Sequence, residues 1–257
     1  EATLLNRAGT IALAFVSLAA GADGQRHELE LHDHYAFAEW LQDVAGHRGR
    51  STEPIVLRCL GHLSIDECDF QHRDLWGANL SRSNLRKASF RASILTRAEL
   101  NECGLSGAIF HDTMAREAQF ERSKLTEASI QNAIFEHARM KRALLNESTC
   151  LSTRFDHADL SGASFHRAHL QNCTFTYASL AGADFTRATI SGPISHADFA
   201  GANLSGADLR KAVFIRCNFH EAALSGARVT EATFADSELT RAQREALEME
   251  NLWPKTT

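Results

Sequence analysis

The sequence predicts an all-β solenoid, a rod built from stacked coils of extended chain, and two regularities support that fold class. Apolar residues occupy every fifth position from Phe70 to Ile190 and again from Ile194 to Leu239, and they include 13 of the 15 phenylalanines. The residue two places before each of these 35 positions is small in 34 cases. Two inward side chains separated by one outward residue indicate extended backbone, because side chains alternate along a strand.

A period of five excludes the helical alternative. Five residues advance an α-helix by about 500°, so apolar residues at this spacing would scatter around the helix. The unit is clearest at residues 77–81 (GANLS), 201–205 (GANLS) and 206–210 (GADLR).

These segments resemble the A-(D/N)-L-x-x signature of pentapeptide-repeat proteins, and the resemblance covers roughly residues 65–242. It implies a right-handed quadrilateral β-helix with four units in each coil. The 35 units would then form 8.75 coils, and at about 4.8 Å per coil the rod would be about 40 Å long.

Before the rod, residues 1–55 are predicted to form an N-terminal β-hairpin plus helix module. Strands are expected at residues 11–18 and 28–31, and a helix at residues 34–45. Arg7 and the apolar run that follows it also resemble a secretory signal, so that interpretation stays open. The other expectation for this end is that the chain is a fragment of a longer protein.

The β-helix itself is assigned to residues 56–240, and residues 241–257 are predicted to form a C-terminal capping helix and tail. Unpaired strand edges at the end of a solenoid favour aggregation, so a cap is expected there. An apolar stripe indicates the helical face that would cover the last coil: Leu239, Ala242, Ala246, Met249 and Trp253. The alternative role of this helix is a dimer contact.

Charge and composition narrow the possible functions. The 32 acidic and 27 basic residues give a net charge of −5, and residues 68–243 alone carry 19 acids and 20 bases. This balance is too mild to predict a nucleic-acid partner, and no apolar run is long enough to span a membrane. The six cysteines form no CxxC pair, so neither a disulfide framework nor a bound metal is predicted. No motif indicates catalysis or a cofactor, and we expect a protein that is not an enzyme.

Two sets of outward residues are candidates for binding a protein partner. His137, His157, Tyr177 and His196 share one position in successive coils once a one-residue deletion near Gly192 and Pro193 is counted. Ile94, Met114 and Ile134 precede central positions, where the family places Asp or Asn, and Trp76 belongs to the same side. The central residue after Met114 is the small Ala115, so Met114 could instead turn inward.

Among pentapeptide-repeat proteins, the layout of a short N-terminal module followed by a long rod is similar to PipB-like effectors of type III secretion. The resemblance implies a secreted bacterial effector, or its β-helix fragment, that binds a host protein inside the host cell. The alternatives are a gyrase-binding DNA mimic of the quinolone-resistance type and a scaffold in the bacterial cytoplasm. A DNA mimic needs an acidic rod, which the near-neutral rod disfavours.

Overall fold

The computed structural model describes residues 2–5, 11–16, 57–58 and 67–249. Strands β1 (Ala2–Leu5), β2 (Ile11–Val16) and β3 (Leu57–Arg58) form an antiparallel sheet in the order β1-β2-β3. β2 lies within the strand predicted at residues 11–18, but it pairs with β1 and β3, which the sequence pattern did not indicate. The strand predicted at residues 28–31 and the helix at 34–45 lie outside the described residues.

The rod begins by residue 67 and is a parallel β-solenoid. Most residues that form its isolated bridges pair with the residue 20 positions further along the chain, as Asp69 does with Ser89 and Asp74 with Ile94. Four such ladders begin at Asp69, Asp74, Asn79 and Asn84, and they define the first, second, third and fourth faces of the rod. One coil therefore contains four five-residue units, and the rod is quadrilateral.

Longer strands replace single bridges on the first two faces. They form one parallel sheet in chain order: β4 (Ser129–Gln131), β5 (Thr149–Leu151), β6 (His169–Gln171), β7 (Thr189–Ser195), β8 (Ala212–Ile215) and β9 (Thr233–Ala235).

The repeating apolar residues fill the axis of the rod. All of those from Phe70 to Val229 are buried, and the small residues two places earlier are buried beside them in nearly every unit. Aromatic rings stack where one face carries Phe in successive coils, with ring centroids of Phe70 and Phe90 4.9 Å apart and those of Phe90 and Phe110 5.0 Å apart. Burial of one Phe contributes roughly 1.5–3 kcal/mol, so this column is the main source of cohesion.

Each corner between faces is a tight turn whose second residue adopts a left-handed conformation. In the described rod, 27 non-glycine residues and 8 glycines have positive φ, and almost all lie two places after a central residue. The turn is closed by a hydrogen bond from the backbone N–H three residues after the central residue to the carbonyl of that central residue. The Ala78 N–H, for example, donates to the Leu75 carbonyl at 3.0 Å. The side chain of the left-handed residue therefore projects outward at the corner.

The one-residue deletion is absorbed between the first and second faces. Ladder partners are 20 residues apart before it, but Ser179 pairs with Asp198 and Asp184 with Asn203, which are 19 apart. Gly192 lies at this point with φ +104°, and a Cβ there would be 3.0 Å from the Cα of Asn172. Only glycine fits without moving the backbone of the neighbouring coil.

We expect Gly192→Ala to destabilise the rod by about 2 kcal/mol or more, because the methyl group adds a backbone clash to an unfavourable φ. Gly182→Ala is the matched control, since φ there is +65° and a Cβ would meet nothing within 4 Å. The control should cost about 1 kcal/mol. Thermal unfolding compares the two variants, and equal melting temperatures would contradict this account of Gly192.

The rod ends in helix α1 (Arg241–Met249), which covers the last coil. Thr240 and Gln243 form a reciprocal cap, with the Gln243 N–H donating to Thr240 Oγ1 at 3.2 Å and the Thr240 N–H to Gln243 Oε1 at 2.7 Å. The Gln243 amide also donates 2.8 Å hydrogen bonds to the carbonyls of Phe219 and Ala222. It thereby satisfies backbone acceptors at the exposed end of the solenoid.

The predicted stripe on this helix was partly wrong. Ala242 is exposed, while Leu239 and Leu247 are buried and Gln243 is half-buried. The described inward positions, Leu239, Gln243 and Leu247, are four residues apart, and Leu239 precedes the helix. The side chains of the other predicted members of the stripe, Ala246, Met249 and Trp253, lie outside what the structure describes. Among the residues that the structure describes, no helix is long and apolar enough to cross a membrane.

Gln243→Ala should destabilise the C-terminal end of the rod by about 1–2 kcal/mol, because it removes a helix cap and leaves two backbone carbonyls without their donor. Arg244→Ala is the control, since Arg244 is exposed on the same helix. Hydrogen exchange should accelerate around residues 219–239 in the first variant and stay unchanged in the second. Unchanged exchange in both would show that Gln243 does not cap the rod.

Candidate functional site on the second face

In ten of the 35 units the outward residue just before the central position is Asp or Asn, which can support the adjoining turn. Asp or Asn at this position accepts a hydrogen bond from the backbone N–H two residues later, as Asp74 does from Trp76 at 3.1 Å and Asn79 from Ser81 at 3.0 Å. Such a side chain stabilises the turn locally. An apolar residue at the same position cannot accept this hydrogen bond, so the folding of the turn does not explain it.

Ile94, Met114 and Ile134 occupy this position in three consecutive coils. They are direct ladder partners on the second face, which places their side chains in one column. Met114 is 43% exposed, and Ile94 and Ile134 are half-buried. We call these three residues the apolar strip.

The structure decides between the two conformations considered for Met114. Ala115 is fully buried in the central column, and the Met114 side chain faces outward. The alternative that Met114 fills the space beside Ala115 is therefore wrong. The rod accepts a small central residue in this coil, where Phe135 and Phe110 are nearby in the core and their ring centroids are 6.1 Å apart.

Trp76 lies on the second face but in the column after the central position, so it flanks the strip rather than extending it. Its ring is half-buried, and the guanidinium carbon of Arg97 is 6.0 Å from the ring centroid. This distance is at the outer limit of a cation–π contact. Trp76 therefore adds an aromatic surface one coil before Ile94.

His137, His157, Tyr177 and His196 form a continuous ring stack along the corner between the second and third faces. Successive ring centroids are 4.7, 5.3 and 4.6 Å apart, with interplanar angles of 10°, 19° and 25°. All four residues have the left-handed backbone of the corner. The stack continues past the deletion, because the shorter coil brings His196 into the column of Tyr177.

Charged pairs continue the same corner column at both ends of the ring stack. Arg97 Nε donates to Glu117 Oε2 at 2.8 Å before the stack, and Arg216 Nε is 3.6 Å from Asp236 Oδ2 after it. The hydrogen bond and the charge of Arg97 lower the pKa of Glu117. The column therefore carries aromatic rings in its middle and an ion pair at each end.

An ion-pair network that the sequence analysis missed separates the apolar strip from the ring stack. Glu136 contacts two arginines, with Arg116 Nε at 3.0 Å and a close contact from Arg154. Arg154 also lies 3.6 Å from Asp156, which accepts the Thr176 N–H at 2.7 Å. Positions 116, 136 and 156 are 20 residues apart, so the coil period, counted in the sequence, would have predicted that they share one column of the rod.

The described cysteines are structural. Cys68, Cys103, Cys150, Cys173 and Cys217 are buried, and Cys59 lies outside the described residues. Burial raises the pKa of the Cys173 thiol to about 12 and raises that of Cys150 well above its usual value. Within the described chain, no group of three or more His, Cys, Asp or Glu side chains is arranged to hold a metal ion.

We expect these five thiols to resist iodoacetamide at pH 8 in the folded protein, because a buried thiol is not accessible to the reagent. The same thiols should react fully in guanidinium, which provides the control. Mass spectrometry of digested protein locates each modified cysteine. Rapid labelling of Cys150 or Cys173 in the folded protein would mean that the core opens or that these thiols are reactive.

Together, the four ladders, the filled axis and the outward columns define a quadrilateral parallel β-helix made of five-residue units. Models of the family of pentapeptide repeats match the chain at these segments: 64–101, 93–130, 103–142, 123–162, 153–192, 194–230 and 217–243. The chain therefore belongs to the pentapeptide repeat family. The resemblance inferred from the repeat signature is confirmed at this level.

Several solved structures of pentapeptide-repeat proteins are similar to the chain. HetL from the cyanobacterium Nostoc sp. strain PCC 7120, which is involved in the regulation of heterocyst differentiation, is 26% identical with a TM-score of 0.33. That match covers 78% of this chain and 93% of HetL. QnrB1, a plasmid-mediated fluoroquinolone resistance protein, is 17% identical with a TM-score of 0.44, covering 76% of this chain and all of QnrB1.

A third similar structure is a pentapeptide-repeat protein from the thylakoid lumen of Arabidopsis thaliana. It is 26% identical with a TM-score of 0.16, and the match covers 48% of this chain and 70% of that protein. A search of curated protein sequences found no match.

Proposed function

We propose that the chain is a non-enzymatic protein-interaction rod and that its second face, with the adjoining corner, binds a protein partner. The observation that carries this proposal is the apolar strip, in which three consecutive coils expose Ile or Met where Asp or Asn would support the turn. Contiguous exposed apolar side chains on a soluble rod are typical of a contact surface. The ring stack beside the strip adds rigid aromatic edges, which are common in protein interfaces.

The filled axis supports a binding role over a catalytic one. Enzymes usually surround their substrates in a cleft or cavity, whereas the core of this rod is occupied by buried Leu and Phe side chains along the described coils. The surface available for binding is therefore the outside of the rod, its faces and corners. On these, the second face differs from the rest by its run of apolar residues.

We further propose that the chain acts as a secreted bacterial effector, or as the β-helix fragment of one, and binds a host protein inside the host cell. This part rests on the layout of a short N-terminal module before the rod, which resembles PipB-like effectors. Layout is an argument by analogy, since one fold supports many functions. A scaffold in the bacterial cytoplasm would use the same surface on a bacterial partner.

Ile94→Glu combined with Ile134→Glu should abolish capture of the partner and leave the melting temperature nearly unchanged, because both side chains lie outside the core. Wild-type and variant rods are used in parallel to purify partners from host-cell and bacterial lysates, and bound proteins are identified by mass spectrometry. A protein lost only with the variant is the candidate partner, and its source separates the effector from the scaffold.

Ile109→Glu is the matched control, since Ile109 is also half-buried and holds the equivalent position on the first face. This variant should retain the partner. Identical sets of captured proteins for the wild type and the double variant would remove the second face as the binding surface.

The alternative function, a DNA mimic that binds gyrase, needs a surface of continuous negative charge. The charges on this rod are interleaved instead. Arg97 pairs with Glu117, Arg116 with Glu136 and Arg228 with Asp208, each across adjacent coils. This pattern favours the first proposal, and a gyrase supercoiling assay tests the choice: inhibition or protection at micromolar protein would support the mimic.

A further inference from the structure

The ladder that contains the apolar strip has a symmetrical arrangement of side chains about Met114. Along five consecutive coils it reads Asp74, Ile94, Met114, Ile134 and Arg154, and each residue is the direct ladder partner of the next. At about 4.8 Å between coils, this column is about 19 Å long. Apolar residues of equal size flank Met114, and opposite charges lie two coils away on either side.

We propose that the second face binds a second copy of this chain, with the two rods antiparallel and related by a two-fold axis that crosses the column at Met114. In that arrangement Met114 meets its own copy and Ile94 meets the partner's Ile134. Asp74 then lies opposite the partner's Arg154, and this pair occurs twice. A patch that is complementary to itself is what an isologous dimer requires.

The charges distinguish this arrangement from its parallel alternative. Parallel rods in register would place Asp74 opposite its own copy and Arg154 opposite its own copy, and like charges in an interface cost affinity. The antiparallel arrangement replaces both repulsions with attractions. Arg116 flanks the centre of the column and meets its own copy, with Glu136 of the same chain 3.0 Å away as its counter-charge.

Arg154 can take part in an intermolecular pair without leaving its own network. Its side chain is 50% exposed while it contacts Glu136 and Asp156. A guanidinium has five N–H donors, so donors remain for an additional carboxylate. Asp74 accepts the Trp76 N–H, and a carboxylate has about four lone-pair sites, so it can accept an additional hydrogen bond beside those it already makes.

This inference rests on the proposed function, because it names the occupant of part of the same surface. It names a second copy as an occupant of the apolar strip, which a captured partner also contacts, while the ring stack and the corner stay accessible in the dimer. It also differs from a dimer through the C-terminal helix, which would leave the apolar strip exposed.

Sedimentation equilibrium of the purified chain tests the proposal through a charge exchange. We expect the wild type to associate in a concentration-dependent manner, and Met114→Glu to weaken association by about tenfold or more, because two carboxylates would be buried together. Asp74→Arg and Arg154→Asp should each weaken association by a smaller factor. The double variant should restore it to nearly the wild-type value, since both pairs are re-formed with reversed sign.

The backbone accepts these residue types at equivalent positions, since Arg139 and Asp159 occupy the corresponding place on the third face in neighbouring coils. Arg154→Asp also removes the contacts of Arg154 with Glu136 and Asp156, so the melting temperatures of both single variants and the double variant are compared with that of the wild type. Leu144→Glu is the matched control for Met114→Glu, since Leu144 is 36% exposed on the fourth face. This control should leave the association unchanged.

A wild-type chain that stays monomeric at a protein concentration of about 100 μM would overturn the dimer. So would a double variant whose association does not recover, or a dimer that persists in Met114→Glu. The capture experiment separates this failure from that of the proposed function. A monomeric rod that still loses a captured partner on Ile94→Glu and Ile134→Glu keeps the function and loses the dimer. A rod that dimerises but still captures the same proteins after Ile94→Glu and Ile134→Glu keeps the dimer and loses the proposed function.

Discussion

Backbone hydrogen bonds between coils are the constraint on which the rest of the rod depends. The Phe90 N–H donates to the Ile109 carbonyl at 2.7 Å, and the Ile109 N–H donates to the Ala88 carbonyl at 2.9 Å, so the chain is bonded both forwards and backwards along the axis. This two-way bonding fixes the offset at 20 residues. Once the offset is fixed, every side chain has a partner of the same type of position directly above and below it.

Polar residues in the core follow from the same constraint. Thr113 and Cys103 occupy the small inward position, and each donates to the carbonyl of the residue 23 places earlier, Phe90 at 2.7 Å and Leu80 at 2.9 Å. A buried hydroxyl or thiol is tolerated when it has such an acceptor. The small inward position therefore requires a small side chain. Ser, Thr or Cys can replace Ala there because a backbone carbonyl lies within hydrogen-bonding distance.

The sequence predicts those features that depend on the five-residue period alone. The buried columns, the outward direction of the ring stack and its spacing near 5 Å follow from counting residues, because identical units must repeat their geometry. The period could not decide whether Met114 faces outward, since that depends on how the coil accommodates Ala115. It also could not place the helix start, so Ala242 was assigned to the inward face that Leu247 occupies.

Some contacts required the three-dimensional structure. The coil period aligns Arg116, Glu136 and Asp156 in one column, but it does not show that Arg154 joins them from the neighbouring column to form one network between the strip and the ring stack. The partners of β2 are equally hidden in the sequence, because antiparallel pairing of short segments depends on contacts that no repeat specifies. The role of Gln243 depends on which carbonyls the last coil leaves exposed.

The shortened coil at Gly192 has a consequence for how such a gene can change. Loss of a single codon elsewhere in a β-strand protein usually reverses the orientation of every side chain that follows. Here the loss falls at a corner, and Tyr177 and His196 still stack at 4.6 Å on the far side of it. A corner glycine with the backbone of Gly192 can therefore take up a change in chain length while the surface columns on both sides of it keep their alignment.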